Sequence, residues 1–498
     1  MNLPLIDLIV FLVYMTGIIG LGASFYFKKR TSIDYITGGG RLPAWALGMS
    51  IFATYVSSIS FLALPGSAYQ SNWNGFVFSL SIPLAAFIAV KYFVPLYRKL
   101  QSPSAYAYLE NRFGLWARVY ASTCYLLTQL ARMGAIMYLL ALPMNALFGW
   151  SIPMIIIATG IGVAIYAMLG GIEAVVWTDA VQGILLILGA LTCFLLIIWE
   201  MPGGFPEVIE IAQAHNKLSL GSLSFDWSQN TFWVILVYGL FINLQNFGVD
   251  QSYIQRYLGA KTESEAKAST WLGSLLYVPV SLLFFMIGTG LFAYYQQFPE
   301  NLPLELQAFE NADKVFPYFI VSSLPVGLTG LMIAAIFAAG MSTLSTSINS
   351  SATVILEDHV KKYLFPKLPK AAEFKVLYMS SFIMGIAGIL IGLAFNGVSS
   401  ALDAWWALAS IFSGGILGLF LLGVLSQSQS NMPAILGVVC GLLIIAWISL
   451  EELLNAYGWP VLELHKNLAI VLGTMAVFIV GFVLGWLVNG VRRLGWRQ

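Results

Sequence analysis

Residues 331 to 353, LMIAAIFAAGMSTLSTSINSSAT, open as an apolar run and close with eight hydroxyl side chains and Asn349 within twelve positions. On a helix at about 100° per residue, Ser342, Ser345, Thr346 and Asn349 share one face, with Ala339 a turn earlier and Thr343 beside it. Neutral oxygens stacked in a stripe suit a hard, weakly held cation such as Na⁺, whereas a tight zinc or copper site would want histidine or cysteine. Close helix packing is the alternative, because small hydroxylated residues also let membrane helices approach one another.

The rest of the chain supports a membrane setting. Of 498 residues, 59% are hydrophobic and 9% charged, a balance outside the range of soluble domains. A net charge of +1 offers no basic field for nucleic acid. Cys124, Cys193 and Cys440 all lie in apolar segments, so neither a disulfide framework nor a cysteine metal site is implied. The apolar stretch from Leu5 to Phe27 is long enough to cross a bilayer and reads as a first helix rather than a cleaved signal.

Hydropathy predicts an all-α polytopic membrane protein with about thirteen spans, the second centred near residue 56, the seventh near 238 and the ninth near 338. With the N-terminus outside, 20 of the 24 lysines and arginines, Arg256 among them, fall in the inside connections or the C-terminal tail. That asymmetry places the C-terminus in the cytoplasm. No separate soluble domain is visible, so residues 1–498 read as one membrane domain.

Arg132 lies inside the bilayer in TQLARMGAIMYLLAL, about a dozen largely apolar residues from either end. Such a guanidinium costs at least ~2.5–3.5 kcal/mol and usually faces a cavity or a partner. Its paired donors match a carboxylate, so it reads as an anion fork, with an internal ion pair as the alternative. Asp179, in GGIEAVVWTDAVQG, reads either as part of a cation site or as a carboxylate favoured by a helix N-terminus. Asp250 reads as interfacial or gating. His215, His359 and His465 are in predicted loops, which leaves no histidine cluster for an intramembrane metalloenzyme.

Two spans look interrupted. WALGMSIFATYVSSISFLALPGSAY places Ser57, Ser58 and Ser60 mid-membrane with Pro65 and Gly66 beyond them. Five spans later FINLQNFGVDQSYIQRY carries Asn243, Gln245, Asn246 and Gly248 at comparable depth. Unwound backbone is tolerated in a bilayer only where it lines a cavity or holds an ion. Interrupted helices five apart are what an inverted five-plus-five repeat predicts, with solute and ions bound where the breaks meet.

IDYITGGGRLPAW, FATYVSSISFLALPGSAY, GGIEAVVWTDAVQG, VDQSYIQRY and GLMIAAIFAAGMSTLSTSINS, in this order between residue 33 and about 425, resemble the sodium:solute symporter family. The resemblance implies a LeuT-like ten-helix core over about 42–425, one extra helix within 1–30 and two further helices over about 430–490. It implies one Na⁺ held by the carbonyls of Ala53, Val56 and Ala339 and the hydroxyls of Ser342 and Thr343. A second Na⁺, found in some members, would use Asp179, Ser342, Ser345 and Thr346. Among members the chain is most similar to bacterial sialic acid transporters, which implies a bacterial-type plasma membrane and a substrate site with Arg132, Ser57 and Ser60. It departs from them at Tyr55, where a small hydroxyl is expected, and at Ser79, where a glutamine would reach the substrate.

The implied function is Na⁺-coupled import of a carboxylate-bearing solute by alternating access, sialic acid first and another sugar acid, sugar or small monocarboxylate second. Na⁺, an acidic solute and the lipid bilayer are the implied partners, with no obligate protein partner. A passive channel is the alternative of a different class, and an enzyme lacks any nucleophile and base or metal cluster to work with.

Overall fold

A computed structural model describes residues 3–28, 30–100, 102–308, 311–396, 401–426 and 431–495. Its long helices are α1 (Leu5–Ser24), α2 (Ala44–Tyr55), α3 (Ser58–Gln70), α4 (Trp73–Leu100), α5 (Leu115–Phe148), α6 (Ile152–Glu200) and α7 (Phe232–Val249). They continue with α8 (Gln251–Gly259), α9 (Glu263–Gln297), α10 (Leu328–Leu364), α11 (Lys370–Ala394), α12 (Ala401–Leu425), α13 (Asn431–Ser449) and α14 (Leu468–Gly495). No strand is found among the described residues, as a bilayer demands of any chain that does not close a barrel.

Ten of these helices are long and apolar enough to cross a membrane among the described residues, and the bent pair α2 and α3 makes an eleventh. α6 runs for 49 residues. At 1.5 Å per residue that is about 73 Å, more than two bilayer cores. Its chain turns at Gly171, where φ is 63° and ψ −163°. A Cβ there would stand 2.7 Å from the Tyr35 ring, so only glycine fits. With α6 counted as two crossings and α12 as one, thirteen result, in the LeuT-like arrangement.

Both interruptions begin again in the same way. α2 ends at Tyr55, Val56 is extended, and Ser57 caps α3 by accepting from the Ser60 amide at 3.4 Å. The two halves meet at 55°. Pro65 sits within α3, whose helix continues past it to Gln70, so it is not the site of the interruption. In the second repeat the helix continues through Asn243, Gln245, Asn246 and Gly248, and the break comes at Asp250. The Asp250 carboxylate then caps α8 by accepting from the Ser252 amide at 2.7 Å. Asp250 is therefore buried at the second break rather than interfacial.

α10 is the central post. Every residue from Met332 to Val354 is buried, enclosed by α1, α5, α6 and α11 together with the broken pair. At one end of the bundle, a charged clamp joins α5, α10 and the short helix Ala107–Phe113. Arg118 donates to Asp358 at 2.5 Å and to Glu110 at 2.7 Å, while Lys362 reaches Glu110 and Ser104 donates to Asp358 at 2.6 Å. Burial alone would raise the Glu110 carboxyl, but hydrogen bonds and charge from Lys362 and Arg118 hold it below the usual carboxylate range. Its contribution is thus present at neutral pH and lost only as the medium is acidified through that lowered value.

Asp358 is fully buried, so Arg118→Ala strands an uncompensated carboxylate. The expected cost is about 3–5 kcal/mol. Thermal unfolding in detergent should show a lowered midpoint, with partial recovery in Arg118→Ala combined with Asp358→Asn. An unchanged midpoint in the single variant would remove the clamp as a stabilising element.

Candidate substrate and cation site

The breaks face a cavity of about 370 Å³. Tyr55, Ser57, Ser60, Ser79 and Arg132 all line it, and so does Asp250. Arg132 is carried by α5, and its Nη2 donates to the Thr54 carbonyl at the long distance of 3.5 Å. Asp250 uses one carboxylate oxygen to cap α8, and Arg132 is not among the ion pairs found within 4.0 Å in the described residues. The sequence showed no acidic residue at the depth of Arg132, yet the second break supplies one on the same cavity wall.

Two lining residues turn their polar atoms into the protein. Tyr55 donates its hydroxyl to Asn243, whose amide in turn donates to Ser81 at 3.0 Å. The Tyr55 ring stacks on Phe247 and meets Tyr277 edge-on. Ser79 donates to Ser281 at 2.8 Å. The wall these residues share with Phe78, Ile235 and Tyr238 is consequently more apolar than its sequence suggests.

Beside the cavity, oxygens converge where α2 stops. The end of a helix leaves carbonyls without intrahelical partners. The Ala53 carbonyl accepts from Ser342 Oγ at 2.7 Å, and the Ala339 carbonyl from Ser342 and Thr343, each at 3.3 Å. Val56 lies in the extended link directly after α2, fully buried. Ser342 and Thr343 spend their protons on carbonyls, which leaves hydroxyl lone pairs free to bind a cation. The chemistry of this donor set fits Na⁺.

The second set is more crowded. Asp179 Oδ2 accepts from Ser50 at 2.6 Å and from Arg256 at 3.0 Å. Arg256 also donates to Thr346 at 2.6 Å, and the Thr346 hydroxyl lies 3.2 Å from that of Thr54. Ser345 donates to the Ser342 carbonyl at 3.0 Å. Asp179 Oδ1 is buried without a hydrogen-bond partner. Arg256 is not in an inside connection: it is fully buried, because the break at Asp250 redirects α8 into the bundle. No charge count along the sequence could have found it. The N-cap pattern of an aspartate two residues before a serine is the one local signal that marks the break.

The remaining α10 hydroxyls have other tasks. Ser347 donates to Gln129 at 2.7 Å, Ser350 accepts from Tyr125 at 2.7 Å, and Thr353 accepts from Gln255 at 2.7 Å. The stripe thus divides, with Ser342 and Thr346 reaching toward the first break and Ser347, Ser350 and Thr353 toward α5 and α8.

A membrane bundle organised around two interrupted helices, with a central cavity and an oxygen cage at the first break, defines an ion-coupled carrier. Residues 35–441 match the profile of the Sodium:solute symporter family, and the chain belongs to that family. The sodium/sialic acid symporter NanT of Aliivibrio fischeri is 33% identical over 96% of this chain and 92% of its own length. SiaT of Proteus mirabilis, also a sodium/sialic acid symporter, is 33% identical over 94% of this chain and 92% of its own. A solved substrate-bound, outward-open Na⁺-coupled sialic acid symporter, described as revealing a novel Na⁺ site, superposes with a TM-score of 0.88. It is 31% identical, over 97% of this chain and 98% of that one.

Proposed function

We propose that this chain imports a sialic-acid-type sugar acid together with Na⁺ by alternating access. One observation carries the reading: adjacent carbonyls of the first break serve the two ligand sites. The Thr54 carbonyl accepts from Arg132 on the cavity side, and the Ala53 carbonyl accepts from Ser342 on the cation side. Na⁺ bound by Ala53, Val56, Ala339, Ser342 and Thr343 therefore fixes the strand on which the substrate arginine leans. The solute carboxylate would take the paired donors of Arg132, with Ser57 and Ser60 offering hydroxyls to the sugar.

A second Na⁺ at Asp179, Ser342, Ser345 and Thr346 would make the cycle electrogenic. Two Na⁺ with a monoanion move one net charge, worth ~2.3 kcal/mol per 100 mV, and one Na⁺ moves none. The N-terminus outside and the C-terminus in the cytoplasm of a bacterial-type plasma membrane complete the arrangement. The whole chain acts as one transport domain, with a core of about 42–425 flanked by the helix within 1–30 and the pair within 430–490.

A second reading, a smaller carboxylate, is favoured by Tyr55 and Ser79, whose hydroxyls are committed to Asn243 and Ser281. Uptake of a panel of labelled sialic acids, hexuronates and short monocarboxylates into proteoliposomes decides between them. Concentrative, Na⁺-dependent uptake led by a sialic acid is expected. Preference for a short monocarboxylate would favour the second reading, and flux that neither saturates nor concentrates would leave a channel.

A further inference from the structure

We propose that Arg256 is the built-in counter-ion of the second Na⁺ site, a positioning residue that decides which Asp179 oxygen the cation takes and how weakly it is held. The inference rests on the reading that Asp179 belongs to such a site.

The guanidinium is fully buried and its donors are distributed over four acceptors. Nε reaches Ser50 at 2.8 Å, Nη1 the Ser252 carbonyl at 2.5 Å, and Nη2 both Asp179 Oδ2 at 3.0 Å and Thr346 at 2.6 Å. Ser50 adds a second donor to the same Oδ2. The hydrogen bonds from Ser50 and Arg256 thus both fall on one oxygen of this carboxylate. Oδ1 is left buried and bare, although a buried acceptor without a partner is destabilising. A cation at Oδ1 removes that cost.

The oxygens around it are prepared in the same sense. Ser345 Oγ spends its proton on the Ser342 carbonyl, and Ser342 Oγ spends its own on Ala53. Both keep lone pairs free, so neither can satisfy Oδ1 as a donor without leaving a carbonyl. Thr346 accepts from Arg256 and is thereby held near Thr54 at the first break.

Charge fixes the affinity. A lone buried carboxylate would hold Na⁺ tightly and release it slowly, but Asp179 and Arg256 together are neutral before the ion arrives. Na⁺ then enters a site with no net negative charge, and the guanidinium repels it. A cation that must leave to the cytoplasm in every cycle is suited by weak binding. Arg256 also belongs to α8, which follows the second break, while Asp179 belongs to α6. Rotation of α8 during the cycle would change the distance between the two charges and with it the hold on the ion.

The test uses the purified full chain, with NaCl titrated against KCl at constant ionic strength. Two readouts serve, the Na⁺-induced shift in thermal unfolding midpoint and the Na⁺ dependence of substrate uptake. Arg256→Gln removes a positive charge from beside the site, and one Na⁺ should bind at least about tenfold more tightly, given Coulomb energies at an effective dielectric near 20. Its Na⁺-induced midpoint shift should exceed that of the wild type, because Na⁺ now also neutralises Asp179, and turnover should fall as release slows. Arg256→Lys keeps the charge without the fork and should stay within about threefold of wild-type affinity, since the monopole governs at this range.

Unchanged or weakened Na⁺ binding in Arg256→Gln would overturn the proposal and leave Arg256 a purely structural ion pair. Should that variant not fold, a tenfold change in Na⁺ affinity in Arg256→Lys would overturn it, and affinity within about threefold would support it. Failure of the underlying reading looks different: wild-type uptake that is non-cooperative in Na⁺ and carries no current, and Asp179→Asn with the same Na⁺ dependence as wild type.

Discussion

Arg132→Ala is expected to abolish high-affinity binding of acidic solutes while the protein still folds and still responds to Na⁺. Truncating one partner of a hydrogen-bonded charge pair costs about 2–5 kcal/mol, a loss of at least about thirtyfold in affinity. The structure enlarges that loss. Asp250 lines the same cavity, so removing Arg132 leaves a wall with net negative charge facing an anionic ligand. Arg132→Lys keeps the charge but loses the planar paired donors, and it should bind with intermediate affinity. Calorimetry on purified protein is the measurement, with the Na⁺-induced shift in unfolding midpoint as the control for folding. Unchanged affinity for acidic solutes in Arg132→Ala would end the anion-fork reading and make Arg132 an internal structural cation. Asp250→Asn gives the complementary sign: asparagine keeps an oxygen to cap α8, so neutralising Asp250 should tighten anion binding.

Arg132 and Asp250 differ in how far a linear reading reaches them, and the same divide runs through the fold. The spans are legible because a bilayer demands long apolar helices with their hydrogen bonds satisfied internally, a constraint written into composition itself. The first break is legible from Ser57, Ser58 and Ser60 taken with the matching polar cluster five spans later, a pairing that an inverted repeat explains. Its cause is less plain. Pro65 sits inside α3, which runs on past it to Gln70, and the interruption comes from the extended link at Val56 and the Ser57 cap. The second break lies a few residues later than its polar cluster suggests, because Asn243 and Gln245 are absorbed into α7 and Asp250 does the capping.

Arg256 is out of reach for a different reason. It stands five residues before Lys261 in a run that reads as cytoplasmic, and only the change of direction after Asp250 carries it inward. Along α8, Gln251, Ser252, Gln255 and Arg256 are all buried, which reverses the usual rule for polar residues near a helix end. They bond to Pro103, Ser350, Thr353 and Asp179 across the bundle, contacts between segments about 80 to 150 residues apart in sequence. Such pairings have no local periodicity. The division of the α10 hydroxyls is hidden likewise, since the neighbours Thr346 and Ser347 meet Arg256 and Gln129 only once α8 and α5 are in place.

The cation cage carries the second large expectation. In Ser342→Ala and Thr343→Val each variant takes one oxygen from a shell of about five, already fewer than the six to eight oxygens that a hard cation such as Ca²⁺ gathers. Even outer-shell partners of a bound metal cost about 10–100-fold in affinity when mutated, and a direct ligand should cost at least as much. Ser342 should be the more sensitive of the two. Its hydroxyl bridges the Ala53 and Ala339 carbonyls and so joins α2 to α10, whereas Thr343 bonds only within α10. Ser342 is also common to both cation sets, so Ser342→Ala should weaken both ions while Thr343→Val weakens one. In Na⁺ titrations of uptake, Thr343→Val should therefore shift the curve to higher Na⁺ with its cooperativity kept, and Ser342→Ala should shift it further. Raising Na⁺ should restore much of the transport in Thr343→Val, since the remaining oxygens are intact. Normal Na⁺ dependence in both variants would place the coupling ion elsewhere, and the Ser342 hydroxyl would then serve only to fasten α10 to the end of α2.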